Sequence, residues 1–199
     1  FFEQHPEWIG RLCFVQIAVP SRDHLASYQA EQTAVDTAVD RINDRFGTPE
    51  WQPVCLLKEH HGPVDMMALH RLTDFFMVNS LHDGMNLVAK EFVASRADER
   101  GVLILSRFTG ASRELDTALG VNPFAIEETA QAIHQALMME PEERERILSR
   151  PPDILLKDPA APAILHAASR QPSKIRISGA VIGDTIRYSL TADPVEEAR

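Results

Sequence analysis

The stretch from Phe75 to Ser106, FFMVNSLHDGMNLVAKEFVASRADERGVLILS, decides how this chain folds. It opens on an apolar run, FFMVN, crosses a polar turn, HDGMN, turns amphipathic from Leu87, and closes on a second apolar run, GVLILS. Short apolar runs without polar alternation mark strands buried on both faces. An amphipathic segment of helical length between two such runs makes a strand–helix–strand unit, whose strands lie parallel because the connection is a crossover.

The same alternation runs through the preceding sequence: LCFVQIAV (12–19), a long amphipathic segment, PVCLL (53–57), and a further amphipathic segment. The predicted fold is therefore α/β, a doubly wound, Rossmann-like parallel sheet. In the first long helix, from about His24 to Phe46, Tyr28, Val35, Val39, Ile42 and Phe46 recur at helical spacing, with Glu31, Asp36, Asp40 and Arg41 on the water side. Gly47 is its expected C-cap. A short strand is expected near LGVNP, followed by a helix whose packed face carries Ile126, Ala130, Ile133 and Leu137. PEERERIL reads as one more helix, with Pro141 in its first turn and acidic residues at the positive end of its dipole.

Near Arg150 the periodicity breaks into a Pro- and Ala-rich stretch, so the chain divides into a domain over residues 1–150 and a linker with a small appendage over 151–199. Within the appendage, KIRISGAVIGDTIRYSL alternates apolar and polar residues across Gly-Asp and predicts a β-hairpin. Such a hairpin has edges that could pair between chains, so the tail is a candidate route to a homo-oligomer.

Composition narrows the function. The 199 residues are 44% hydrophobic with net charge -9, and the acidic residues are spread along helical faces, which excludes the electrostatic footprint of a nucleic-acid binder. No apolar run is long enough to span a membrane and no signal peptide is visible, so a cytoplasmic location is expected. Cys13 and Cys55 read as buried free thiols. The chain lacks an initiating Met and opens in mid-pattern, as a piece of a longer protein would.

In an open α/β sheet, ligands sit at the carboxyl ends of the strands, where helix N-termini present free amides. Three segments arrive there: AVPSR, KEHHG and SLHDGMN. Gly84 permits close backbone approach, and the amides of Met85, Asn86, Leu87 and Val88 could form the first turn of a helix able to hold a diphosphate. Glu91 follows Asp83 by eight residues, about 12 Å along a helix, a suitable reach from a sugar to a ribose. Carboxylates pair with vicinal hydroxyls because an ionised oxygen pair accepts two hydrogen bonds at once. The same residues also admit plainer roles, Asp83 as a turn or capping residue and Glu91 as a solvated helix residue.

The remaining polar residues offer little chemistry. His60 and His61 are adjacent and would face opposite sides of a strand, so they chelate poorly. His70 and His134 are expected to be partly exposed helix positions, Met66, Met67, Met138 and Met139 to fill the core, and Ser112 has no nucleophile-elbow context.

The words SLHDGMNLVAKEFVAS, VQIAVPSR, RINDRFGTPEWQPV, GVLILSRFTGASREL and ALGVNPF closely resemble the trehalose-6-phosphate synthases, retaining glycosyltransferases of GT-B fold, over roughly residues 1–150. The resemblance implies the C-terminal, donor-binding domain. Its chemistry is transfer of glucose from UDP-glucose to glucose 6-phosphate with retention, giving trehalose 6-phosphate and UDP. Asp83 would hold glucose hydroxyls and act as the catalytic position, Gly84 through Val88 would cradle glucose and diphosphate, and Glu91 would hold the ribose. Arg22 matches the arginine that meets the acceptor phosphate, while His61 falls near a position supporting the uracil that is more often aromatic.

No cofactor or metal is implied, and the absence of an Asp-x-Asp motif agrees. The family's N-terminal Rossmann-like domain, and an Arg and a Lys that reach the diphosphate, would precede Phe1, so the isolated chain is expected to be inactive. Alternatives are a non-catalytic nucleotide-sugar-binding or assembly module, or a related transferase with another phosphorylated acceptor. The letters RFT in ILSRFTGAS, where a smaller or acidic residue is common, leave donor and acceptor preference open.

Overall fold

The computed structural model describes residues 1–19, 26–96, 100–148, 175–182 and 185–192. The predicted linker and the acceptor-phosphate candidate Arg22 lie outside the described residues.

In chain order the strands are β1 (Phe14–Ile17), β2 (Val54–Leu57), β3 (Phe75–Val78), β4 (Val102–Ser106), β5 (Leu119–Val121), β6 (Ile175–Ile182) and β7 (Thr185–Ala192). The helices are α1 (Ala26–Phe46), α2 (Pro63–Leu72), α3 (Leu87–Ser95), α4 (Ile126–Met138) and α5 (Pro141–Leu148). One sheet runs in the order β2-β1-β7-β6-β3-β4-β5. β1 pairs parallel with β2, and β3 pairs parallel with β4, which in turn pairs parallel with β5. β6 and β7 pair antiparallel with each other and stand between β1 and β3, with β6 parallel to β3.

The apolar runs are strands with both faces covered. On one face Phe76, Val78, Leu103 and Leu105 pack with Ala89, Phe92 and Val93 of α3. On the other, Phe75, Met77, Val102 and Ile104 pack with Ala132 and Ala136 of α4 and with Leu12. Every residue of β3 and β4 is therefore buried, as the absence of alternation requires. Among the described residues, no helix is long and apolar enough to cross a membrane.

Two helices end on arginines rather than on glycine. Arg96 Nη1 donates to the carbonyls of His70, Arg71 and Thr73 at the end of α2, at 3.0, 2.6 and 2.9 Å. Arg144 of α5 donates from Nε to Met139 O and from Nη2 to Leu137 O at the end of α4, at 2.9 and 3.2 Å. A guanidinium here satisfies orphan carbonyls and opposes the negative end of the helix dipole.

Several packing expectations need correction. His70 is fully buried, edge-on to the rings of Phe76 and Phe92, because α2 lies flat on the sheet and on α3. Burial, and then the charge of Arg96, pull its pKa down to about 3. Met138 and Ile126 are exposed, while the rest of the expected face of α4 packs inward: Ala130 is buried, and Ile133 and Leu137 lie against the core beside Ala132, Ala136 and Met139. Cys13 and Cys55 are half-buried free thiols.

Candidate functional site at the carboxyl ends of β3 and β4

β3 and β4 are parallel, so the loops that follow them leave the sheet at the same edge. They are then fastened together. Asp83 N donates to Phe108 O at 3.3 Å, Gly110 N to Asp83 O at 3.0 Å, and Ala111 N to Met85 O at 2.8 Å. A Cβ on Gly110 would stand 2.1 Å from the Gly84 carbonyl oxygen, so this contact between backbones requires glycine. A Cβ on Gly84 would meet nothing within 4 Å, and the outer side of the turn is open.

Inside the turn, the Asp83 carboxylate accepts from Met85 N at 3.0 Å and from Asn86 Nδ2 at 2.9 Å. Asn86 is buried, has left-handed backbone (φ 69°), and accepts from Ala89 N at 2.9 Å as the N-cap of α3. The left-handed region suits Asn because its short side chain bonds locally. Asp83 thus does hold the turn, the plainer of its two readings, while each of its oxygens keeps a further lone pair for a ligand hydroxyl. Leu87 and Val88, at the start of α3, have no intrahelical acceptor for their amides.

Glu91 stands on the next turn of α3 and is exposed, yet partial burial of its carboxyl raises the pKa. Lys90 points the other way, buried, with Nζ 2.8 Å from Glu114 Oε2 in the loop after β4. That pair ties α3 to the second loop from below.

A cavity of about 500 Å³ opens where the loops meet. Asp83 and Gly84 form one wall and Arg107, Thr109 and Arg113 another, with Phe108 and Phe124 at the rim. The two rings lie 6.0 Å apart and are exposed. Arg107 is ion-paired with Glu128 of α4. Met85, Asn86, Leu87, Val88, Glu91 and His61 do not line this cavity.

The structure thus joins Asp83 and Gly84 and sets the other α3 candidates beside them along the helix. Arg107, Arg113 and Phe124 were not singled out as site residues by sequence. Arg107 and Arg113 enter through the pairing of two loops some 26 positions apart, whose sequence trace is the RFT motif, and Phe124 enters from the turn after β5, its ring beside Phe108.

Several solved structures share the fold. The Escherichia coli trehalose-6-phosphate structure bound with UDP-2-fluoro glucose superposes with a TM-score of 0.75 at 37% identity, covering 84% of this chain and 36% of that one. An α,α-trehalose-phosphate synthase (UDP-forming) from Burkholderia xenovorans in complex with glucose-6-phosphate gives 0.67 at 36% identity, over 75% of this chain and 33% of that one. The class is that of one half of a GT-B glycosyltransferase.

The model of glycosyltransferase family 20 matches residues 1–156. An α,α-trehalose-phosphate synthase [UDP-forming] from Botryotinia fuckeliana is 47% identical over 145 residues, which is 73% of this chain and 28% of that protein. A bifunctional trehalose-6-phosphate synthase/phosphatase from Thermoproteus tenax is 46% identical over 144 residues, 72% of this chain and 20% of that protein. This chain belongs to glycosyltransferase family 20, and it spans under a third of the length of these curated relatives.

Proposed function

We infer that this chain is the donor-binding part of a UDP-forming α,α-trehalose-phosphate synthase, which moves glucose from UDP-glucose to glucose 6-phosphate with retention. The observation that carries this reading is the family match over residues 1–156, which contains the whole Asp83–Glu91 turn and helix. Residues 1–150 form the donor unit, and the segment beyond adds two strands to its sheet.

In this reading, Asp83 accepts from glucose hydroxyls with lone pairs not used by Met85 and Asn86. Gly84 leaves the sugar room, and the amides at the start of α3 meet the diphosphate with the positive end of the helix dipole. As the glycosidic bond breaks, negative charge grows on the diphosphate, and fixed donors aimed at it lower the barrier. Glu91 holds the ribose hydroxyls, for which its carboxyl must be ionised. Arg22 would meet the acceptor phosphate, as a guanidinium fork suits that anion.

Calorimetric titration of UDP into the chain, with Glu91→Ala in parallel, tests the reading. Tenfold or greater weakening in the variant supports it. No heat with either protein, at concentrations able to reveal millimolar affinity, overturns it.

A further inference from the structure

On the sheet face covered by α4, the N-terminal segment brings a second group of chemically active side chains together. We propose that His5, Glu7 and His134 form a binding site for a divalent cation of the zinc, nickel or copper kind, which pins residues 1–12 to α4.

The ligand-capable atoms of the three residues all lie within 4.8 Å of one another, the one such group among the described residues. His5 Nδ1 is 3.4 Å from Glu7 Oε1, and His134 Nε2 is 3.8 Å from the same oxygen. Ligand atoms around a tetrahedral zinc, at 2.0–2.1 Å from the metal, stand about 3.3 Å apart, so the carboxylate already sits near ligand distance from both imidazoles. Two imidazoles and one carboxylate suit these borderline ions, whereas calcium and magnesium favour all-oxygen sites. His5 and His134 are half-buried and Glu7 is exposed, so an ion can enter from solvent with water at the remaining position.

The imidazoles stack at 3.8 Å with planes 8° apart. Their lone pairs lie in the ring planes, so parallel rings cannot both aim at one ion, and binding must turn one of them. His134 is held within α4, while His5 stands in the loop before the 3-10 turn Pro6–Trp8. Its ring turns about a broad terminal torsion. Glu7 sits in that 3-10 turn, two residues on, and can follow. The donor site is elsewhere on the sheet, so this assignment stands apart from the proposed function.

The test is a calorimetric titration of Zn²⁺ into chelator-treated protein, in a buffer that does not bind metal. One equivalent is expected, lost in His134→Ala, weakened at least tenfold in Glu7→Gln, and unchanged in a His60→Ala, His61→Ala double variant. Glu7→Gln alters only an exposed side chain, so its result does not depend on tolerance of a change in α4. Co²⁺ should give the visible absorption of a four- or five-coordinate ion, and His134→Ala should abolish it. Absence of Zn²⁺ binding, equal binding in His134→Ala, or loss of binding in the His60, His61 variant would each overturn the proposal.

Discussion

The backbone of Gly110 meets that of Gly84 so closely that a single added carbon would lie 2.1 Å from the Gly84 carbonyl oxygen. Two loops from neighbouring strands thus form one plate beneath the candidate sugar site. Gly110→Ala must push them apart and should cost about 1–3 kcal/mol, as overpacking does. Gly84→Ala meets open space and should change stability by under about 0.5 kcal/mol. Chemical denaturation separates the two, and UDP-glucose binding should weaken in both.

Asn86 carries three local duties, the left-handed backbone, the N-cap of α3 and the donor to the Asp83 carboxylate, the last of which Asn86→Ala and Asn86→Gly lose alike. Asn86→Ala loses the cap, worth about 1 kcal/mol, and adds about 1–2 kcal/mol of left-handed strain. Asn86→Gly loses the cap without the strain and should cost under about 1 kcal/mol. Equal losses in urea melts would rule out the backbone part of this account.

His70 should make the fold sensitive to acid. Its folded pKa, about 3, lies below the ordinary histidine value of 6.5, because burial first and Arg96 second oppose the charge. Between those values the unfolded chain binds the proton and the folded chain does not, so unfolding free energy falls as pH drops from about 6.5 toward 3. The effect is on the order of a few kcal/mol. Urea midpoints measured across that range should slope less steeply in His70→Leu than in the parent.

The Lys90–Glu114 pair is lopsided, with Lys90 buried and Glu114 in contact with solvent. Removing Glu114 strands a buried ammonium, whereas replacing Lys90 with an apolar residue of similar length strands nothing. Glu114→Ala should therefore destabilise by roughly 2–3 kcal/mol and Lys90→Met by under about 1. The double variant should resemble Lys90→Met alone in a thermal melt.

What was legible in the sequence follows from the range of each cause. β3 and β4 could be read because burial on both faces removes alternation within five residues, and α3 because its turn, cap and apolar face are contiguous. Gly47 marks the end of α1 for the same local reason, its amide bonding back to Asn43 O. The burial of His70 depends on Phe76 and Phe92, and the exposure of Met138 on which face α4 turns toward the sheet. Neither cause leaves a trace next to the residue concerned. Arg107 and Arg113 reach the cavity through the Asp83–Thr109 pairing, and Phe124 through the pairing of β5 with β4, neither of which any periodicity announces.

The arginine-terminated helices bear on the order in which the protein assembles. α2 and α4 end at Thr73 and Met139 without a glycine, and their last carbonyls are satisfied by Arg96 and Arg144, side chains that arrive 23 and 5 residues later. The last turn of α2 is therefore incomplete until the chain beyond α3 has docked, and the last turn of α4 until α5 has folded back. Each pair should open and close as one cooperative unit, the late turns of α2 and α4 exchanging their amide protons at the pace set by their neighbours.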